Sequence, residues 1–309
     1  MTRIWFAGSG VFAAACLSRI SEDISIDLVI TGVPAAAGRG LRPQPTEVDL
    51  WCEGKKCDVR RTERLMSDAP LIDRLSDCPP DIFLVVDFGQ KILPPFLDLP
   101  HSGCFNIHPS LLPRYRGASP VQRAILSGER RSGVTLFRLV EAMDAGPILS
   151  QESIDISDGI TAGEFAAICA EKGSELFLKG VKSIIDGSCM YREQNSESAS
   201  YAPKIQKSES LIDWRDRSVE IHDRVRAFNP APGAYFMFLG KRVKVWRTKC
   251  VPASGRPGEY LGLDEKGFPL VASGEGALVL SSVQPEGKRV LEGSDWIRGI
   301  RIQKGAVLG

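Results

Sequence analysis

The 309-residue sequence predicts two folded domains, a mostly parallel α/β sheet followed by a small β barrel. Three observations carry that expectation. Apolar strand-like runs alternate with helical stretches as far as residue 186, the rhythm of βαβ units. Residues 187–209 then turn polar and lose all periodicity, as a linker does. Beyond them, short alternating runs are punctuated by glycine and proline, as in a small barrel. The expected domains are therefore 1–186 and 210–309.

Apolar residues make up 43% of the chain, enough for sizeable cores and too many for disorder. The formal net charge of +1 is unevenly spread. Residues 209–309 hold 16 Lys/Arg against 12 Asp/Glu, while the rest hold 23 against 26, which hints at a polyanion docking on the second domain. No pair among the eight cysteines has C-x-x-C spacing and there are only three histidines, so no metal site is expected. Cys16 and Cys104 sit in apolar surroundings and read as reduced core thiols, which fits the cytosol. No signal peptide is read ahead of the first strand, and no apolar run approaches the roughly 20 residues of a membrane helix. A cytoplasmic protein with no membrane partner is expected.

In chain order, Arg3 to Ala7 reads as the first strand, followed by Gly8-Ser9-Gly10-Val11-Phe12-Ala13 and a helix to about Ile20. G-x-G-x-x-A in that setting suggests a dinucleotide site, which also wants an acid about 20 residues on. The second strand, Ile26 to Thr31, ends in Thr31-Gly32-Val33 without one, so a tight strand–helix turn is the better reading and no NAD is expected. Residues 33–46 form a loop carrying Arg39 and Arg42. Cys57 to Val59, a helix over Pro70 to Ser76 and a buried strand Ile82 to Val86 continue the alternation. Later come a helix over Pro120 to Ser127, strands Ser132 to Val140 and Pro147 to Ile156, and a long helix capped by Thr161 and ending near Asp186. In the second domain a helix spans Ser218 to Phe228. Strand-like runs follow at Gly233 to Phe238, Arg242 to Arg247, Leu270 to Ala272 and Ala277 to Val283.

The chain is organised around Cys104 to Ile107, a buried strand halted by Pro109. Side chains alternate along a strand, so Asn106 and His108 point the same way at its C-terminal end, where open α/β sheets bind ligands. The run Phe105-Asn106-Ile107-His108-Pro109-Ser110-Leu111-Leu112-Pro113-Arg114-Tyr115-Arg116-Gly117 resembles the signature of the folate-dependent formyltransferases, with Asn-x-His and Ser-Leu-Leu-Pro intact. The family also has an aspartate some 36 residues after the histidine, and Asp144, in Met143-Asp144-Ala145-Gly146, stands at that spacing. Tyr201-Ala202-Pro203-Lys204-Ile205, inside the linker, resembles the family's Tyr-Ala-x-Lys segment, and Arg226-Ala227-Phe228-Asn229-Pro230 resembles the pattern of its second domain, so the resemblance spans essentially the whole chain.

That resemblance implies a Rossmann-type catalytic domain, a linker and an OB-like barrel. It implies catalysis by Asn106, His108 and Asp144, with 10-formyltetrahydrofolate as co-substrate and neither metal nor NAD. Folate would be held by Ser110, Leu111, Leu112 and Pro113 and by a loop containing Phe88, Gly89 and Ile92. That loop departs from the common pattern at Asp87, where many relatives carry alanine, and by one apparent extra residue near Lys91. The branch that is most similar formylates initiator methionyl-tRNA. In it, Arg39 and Arg42 would reach the acceptor end, while Lys241, Arg242 and Lys244 beside Trp246 would form a nucleic-acid face. A monomer is expected. A formyltransferase acting on an amino-sugar nucleotide shares the Asn-His-Asp site and is the alternative enzyme. A non-catalytic folate- or RNA-binding protein would have lost one of the three residues.

The chemistry suits those side chains. A neutral amine attacks a formyl carbon, negative charge builds on its oxygen, and the leaving nitrogen takes a proton. An asparagine amide can donate to the oxyanion, and an imidazole oriented by a carboxylate can donate and relay protons. No covalent nucleophile is needed, so Cys104 reads as inert.

Overall fold

The computed structural model describes residues 2–37 and 42–309. They fall into two compact units: the first holds residues 2–37, 42–120, 131–155 and 166–202, and the second 121–130, 156–165 and 203–309.

In the first unit the apolar runs become β1 (Ile4–Gly8), β2 (Leu28–Gly32), β5 (Val59–Thr62), β6 (Ile82–Val86), β7 (Gly103–His108), β8 (Arg131–Arg138) and β9 (Ile148–Asp155). They form one sheet in the order β5-β2-β1-β6-β7-β8-β9. Pairing is parallel from β5 to β7, and the last two strands are antiparallel. Continuous apolar runs such as Ile82–Val86 are buried along their whole length, as central strands covered on both faces must be. Chain direction around the sheet reverses between β1 and β6, because β1 leads to β2 on one side and β6 to β7 on the other. That crevice, at the carboxyl ends of the strands, is the ligand position of open α/β folds.

Helices α1 (Val11–Ile20), α3 (Ala69–Asp77) and α5 (Ala162–Ile185) follow the expected positions. Thr161 begins α5 with a reciprocal capping box: Glu164 N–H donates to Thr161 Oγ1 at 3.3 Å and Thr161 N–H to Glu164 Oε2 at 2.8 Å. The helix lies tight against β7, since a β-carbon on Gly173 would stand 2.3 Å from Ile107 Cγ2. Ile107 therefore serves the α5 face of the sheet, and Asn106 and His108 look out of the other.

Two local differences from the sequence expectation have physical reasons. The strand expected at Cys57 to Val59 is β5, Val59–Thr62. Its arginines conceal it, yet Arg60 pairs with Asp68 and Arg61 with Asp49 along an edge strand where charges are tolerated. The loop over 33–46 contains a short hairpin, β3 (Ala35–Ala37) with β4 (Arg42–Gln44), and α2 (Glu47–Cys52) follows, capped by Thr46. Residues 187–202, read as linker, are hydrogen-bonded into the first unit.

The second unit contains α4 (Pro120–Leu126) from Val121 onward, α6 (Ser218–Ala227) and an antiparallel sheet. The strands β10 (Tyr235–Phe238), β11 (Lys241–Val251), β12 (Tyr260–Leu263), β13 (Pro269–Ala272), β14 (Ala277–Pro285) and β15 (Leu291–Glu292) pair in the order β10-β11-β14-β13-β12, with β15 on β14. A helix, α7 (Gly293–Ile300), follows. Val243 and Val245 of β11 are buried while Arg242, Lys244 and Trp246, which alternate with them, are exposed or half-buried, as in a sheet with one wet face; Lys241 is exposed at the start of the strand.

Candidate active site

The site is built where β7 runs out. Asn106 pairs with Phe137 of β8 and with Val85 of β6, and His108 pairs with Thr135. His108 is buried, its ring edge-on to Phe137 at 6.4 Å between centroids. Its Nε2 lies 2.9 Å from the carbonyl oxygen of Tyr115. A carbonyl can only accept, so Nε2 carries a proton and the neutral ring keeps its lone pair on Nδ1. Nδ1 faces Asp144 Oδ2 at 3.9 Å, an ion-pair distance rather than a hydrogen bond.

Asp144 sits in the turn between β8 and β9 with φ at +50°, a left-handed conformation that aspartate tolerates better than most residues. The Gly117 N–H donates to its Oδ2 at 2.7 Å. Gly117, with φ at +114°, has no room for a side chain, as a β-carbon there would stand 2.9 Å from Ala202 O. Asn106 is half-buried, and among the described residues its buried Oδ1 has no hydrogen-bond partner. A buried amide oxygen at a strand end is left as an open acceptor. The structure thus brings Asn106, His108 and Asp144 to one place.

The turn after β7 is rigidly tied. Ser110 N–H donates to His108 O at 2.8 Å, and Ser110 Oγ to Arg114 O at 2.7 Å. Thr135 Oγ1 donates to Ser110 O at 2.6 Å and accepts from Leu112 N–H at 3.1 Å. Gln151 Nε2 reaches Leu112 O and Thr135 Oγ1. Leu112 is buried against Phe137 and Ile148, so it supports the turn, while Leu111 and Pro113 are half-buried. In the loop after β6, Phe88 and Ile92 belong to the core with Phe83, Phe96 and Cys104, and Gly89 is exposed with φ at +75°. Asp87 closes β6 with φ at +44°, its carbonyl accepting from Ser9 N–H at 3.1 Å. A β-carbon on Gly10 would stand 1.9 Å from Asp87 Oδ2, and desolvation there raises the carboxyl pKa to about 6.

Cys104 donates to Phe96 O at 2.9 Å, and burial pushes its thiol far above the usual range, so it offers no nucleophile. Arg39 lies outside the described residues, and Arg42 begins β4. On β11, the Arg242 guanidinium lies over the Tyr235 ring at 5.0 Å and Lys244 Nζ over the Trp246 ring at 5.2 Å. Lys244 also donates to Pro232 O. Arg247 is occupied by Glu164.

The sequence reading missed the carbonyl of Tyr115, the amide of Gly117 and the side chain of Gln194. Gln194 Nε2 donates to Asp144 O at 2.8 Å and Gly146 O at 2.7 Å, while its Oε1 accepts from Arg116 Nε and Nη2 at 3.1 and 2.7 Å. Backbone groups carry no side-chain signature, and Gln194 stands in a polar stretch without periodicity.

Residues 2–181 match the formyl transferase family and 204–301 the formyl transferase C-terminal domain. The chain is 35% identical to methionyl-tRNA formyltransferase of Carboxydothermus hydrogenoformans, over 97% of both chains. It is 36% identical to that of Thermus thermophilus, over 99% of both, and 32% identical to that of Bacillus subtilis, over 100% of this chain and 98% of the other. Two solved structures share the fold at lower identity. HypX from Aquifex aeolicus in complex with tetrahydrofolic acid superposes with a TM-score of 0.64 at 16% identity, covering 100% of this chain and 50% of that one. The N-formyltransferase from Helicobacter canadensis, in complex with folinic acid and dTDP-3-aminofucose, gives 0.66 at 20% identity, covering 91% and 99%.

Proposed function

The chain belongs to the formyl transferases and, within them, to the methionyl-tRNA formyltransferases, and on that premise we propose how its site carries out the transfer. The formyl donor is 10-formyltetrahydrofolate and the acceptor is the α-amine of methionine on the initiator tRNA. The observation that carries this reading is the set at the end of β7: an amide with an unmatched oxygen, an imidazole of fixed tautomer and a carboxylate facing its free nitrogen.

The amine nitrogen attacks the formyl carbon and a C–N bond forms. Charge moves to the formyl oxygen, where the Asn106 side-chain N–H donates a hydrogen bond and so does the Nδ1–H of a protonated His108, whose Nε2–H stays on Tyr115 O. Asp144 stabilises the imidazolium and accepts the proton of the attacking nitrogen, directly or through water. The bond to N10 of the folate then breaks as N10 takes up the proton that Asp144 accepted, directly or through water, which restores the carboxylate. Ser110 to Pro113, with Phe88, Gly89 and Ile92, form the folate walls. Arg39, Arg42, Lys241, Arg242 and Lys244 meet tRNA phosphates, with Tyr235 and Trp246 as stacking surfaces. No helix among the described residues is long and apolar enough to cross a membrane. The enzyme works as a monomer in the cytoplasm, where translation starts.

The test is product formation. Purified protein is mixed with 10-formyltetrahydrofolate and methionyl initiator tRNA, and in a second tube with an amino-sugar nucleotide. Formyl-methionyl-tRNA is the expected product, and formylation of the sugar alone would overturn the acceptor.

A further inference from the structure

Residues 194–202 lie along the loop that anchors both His108 and Asp144. The backbone of residues 113–119 is bound to them at five points. Tyr115 N–H donates to Ser200 Oγ at 2.9 Å and Arg116 N–H to Ser200 O at 2.8 Å. Ala202 N–H donates to Arg116 O at 2.7 Å, Ser119 N–H to Ala202 O at 3.1 Å and Ser200 N–H to Pro113 O at 3.3 Å. That loop supplies Tyr115 O to the histidine and Gly117 N–H to the aspartate. Gln194 closes the circuit. Its amide oxygen takes two N–H groups of the buried Arg116, and its amide nitrogen gives both hydrogens to carbonyls in the Asp144 turn. Asp144 is therefore gripped twice, at its carboxylate by Gly117 and at its carbonyl by Gln194.

We propose that Gln194 is a positioning residue for formyl transfer, holding Asp144 in its left-handed conformation so that Oδ2 stays opposite His108 Nδ1. The proposal rests on the roles given above to His108 and Asp144. A primary amide is the side chain that fits. It must accept from a guanidinium on one side and donate twice to carbonyls on the other, and a carboxylate could only accept. The Asp144 turn has no regular structure to hold it, and although aspartate tolerates φ at +50°, the bonds from Gln194 and Gly117 are what select it over the ordinary right-handed conformation. Loss of the two donated bonds releases the turn, and a shift of about 1 Å at a reacting group costs on the order of 10²-fold in rate.

The test uses the full-length protein with Gln194→Ala and Gln194→Glu. The glutamate keeps an acceptor for Arg116, so this variant retains the buried pair if the alanine variant fails to fold. It presents oxygen where the two carbonyls need a donor. The expected result for Gln194→Glu is a kcat reduced about 10²-fold, with the KM for methionyl-tRNA and the affinity for folate changed less than about twofold. A reading that needs no substrate is the 15N resonance of His108 Nδ1, which the displaced carboxylate should move at fixed pH. An unshifted resonance in the folded variant, or an unchanged kcat, overturns the proposal. So does a loss in which both affinities and thermal stability fall along with kcat. If the wild-type protein formylates no methionyl-tRNA, the functional reading above fails instead, and the His108 resonance still decides whether Gln194 positions Asp144.

Discussion

The turn at the end of β7 and the exposed face of β11 solve opposite problems. In the first, His108, Ser110, Leu112, Tyr115, Gly117 and Asp144 are held by buried or half-buried hydrogen bonds, several of them to backbone. In the second, Lys241 and Arg242 project into solvent, Arg242 lies over the Tyr235 ring, and Lys244 lies over the Trp246 ring and donates to Pro232 O. A reacting group gains from fixed geometry, because only interactions formed in the transition state raise the rate. A phosphate contact gains from charge and tolerates movement, because affinity for a polyanion comes from released counterions. Substitutions in the two regions should therefore fail in different parameters, kcat in one and salt-dependent KM in the other.

The largest effect is expected at His108. In the proposed mechanism His108→Ala removes a hydrogen-bond donor to the formyl oxygen and the partner of Asp144, and it should reduce kcat by about 10²–10⁴-fold with folate binding retained, as measured by product formation and ligand titration. If folate binding disappears as well, the division between reacting group and pocket wall is misplaced. Gly117→Ala sharpens the comparison without touching a proposed reacting side chain. Its β-carbon would collide with Ala202 O and the backbone N–H that Asp144 accepts would move. A kcat loss on the order of 10²-fold is expected, together with about 1–3 kcal/mol of stability by denaturant titration.

On β11, Arg242→Ala should leave kcat unchanged and raise the KM for tRNA. The slope of log affinity against log salt should fall by about one. A salt slope equal to wild type would remove this residue from the RNA face. The smallest effect is expected at Asp87. Its folded carboxyl titrates at about 6 against 3.8 for a free aspartate, so the folded state holds the proton more tightly. The stability it contributes is complete below 3.8 and is lost as pH rises through about 6. Asp87→Asn should thus match wild type near pH 4 and exceed it at pH 7. The gain should be on the order of 1 kcal/mol rather than the full shift, because the carboxyl lies against Gly10 while the residue as a whole remains exposed, so solvent screens part of the effect. Equal stability at both pH values would place the carboxyl in water.

Much of the first unit could be read from its pattern, because central strands such as Ile82–Val86 are apolar throughout and the Asn-x-His alternation at a strand end has a direct geometric meaning. Thr161 was legible as the cap of α5, while the reciprocal bond from its N–H to Glu164 emerged only in the structure. The edge strand β5 was displaced because Arg60 and Arg61, which look like loop residues, are paired with Asp68 and Asp49 outside the strand. The short hairpin β3–β4 is too brief for periodicity to show. The supports of the site were hidden for a deeper reason. Tyr115 O and Gly117 N–H act through backbone, and Gln194 acts across 50 residues on Asp144.

The central claim is that the carboxylate of Asp144, facing a histidine of fixed tautomer, carries the transfer. Single-turnover formylation of methionyl initiator tRNA by Asp144→Asn tests it most directly, because the substitution keeps an oxygen able to accept from Gly117 N–H while removing the charge. The account predicts a rate lower by about 10²–10⁴-fold, with tRNA and folate still bound. Transfer at the wild-type rate would contradict it.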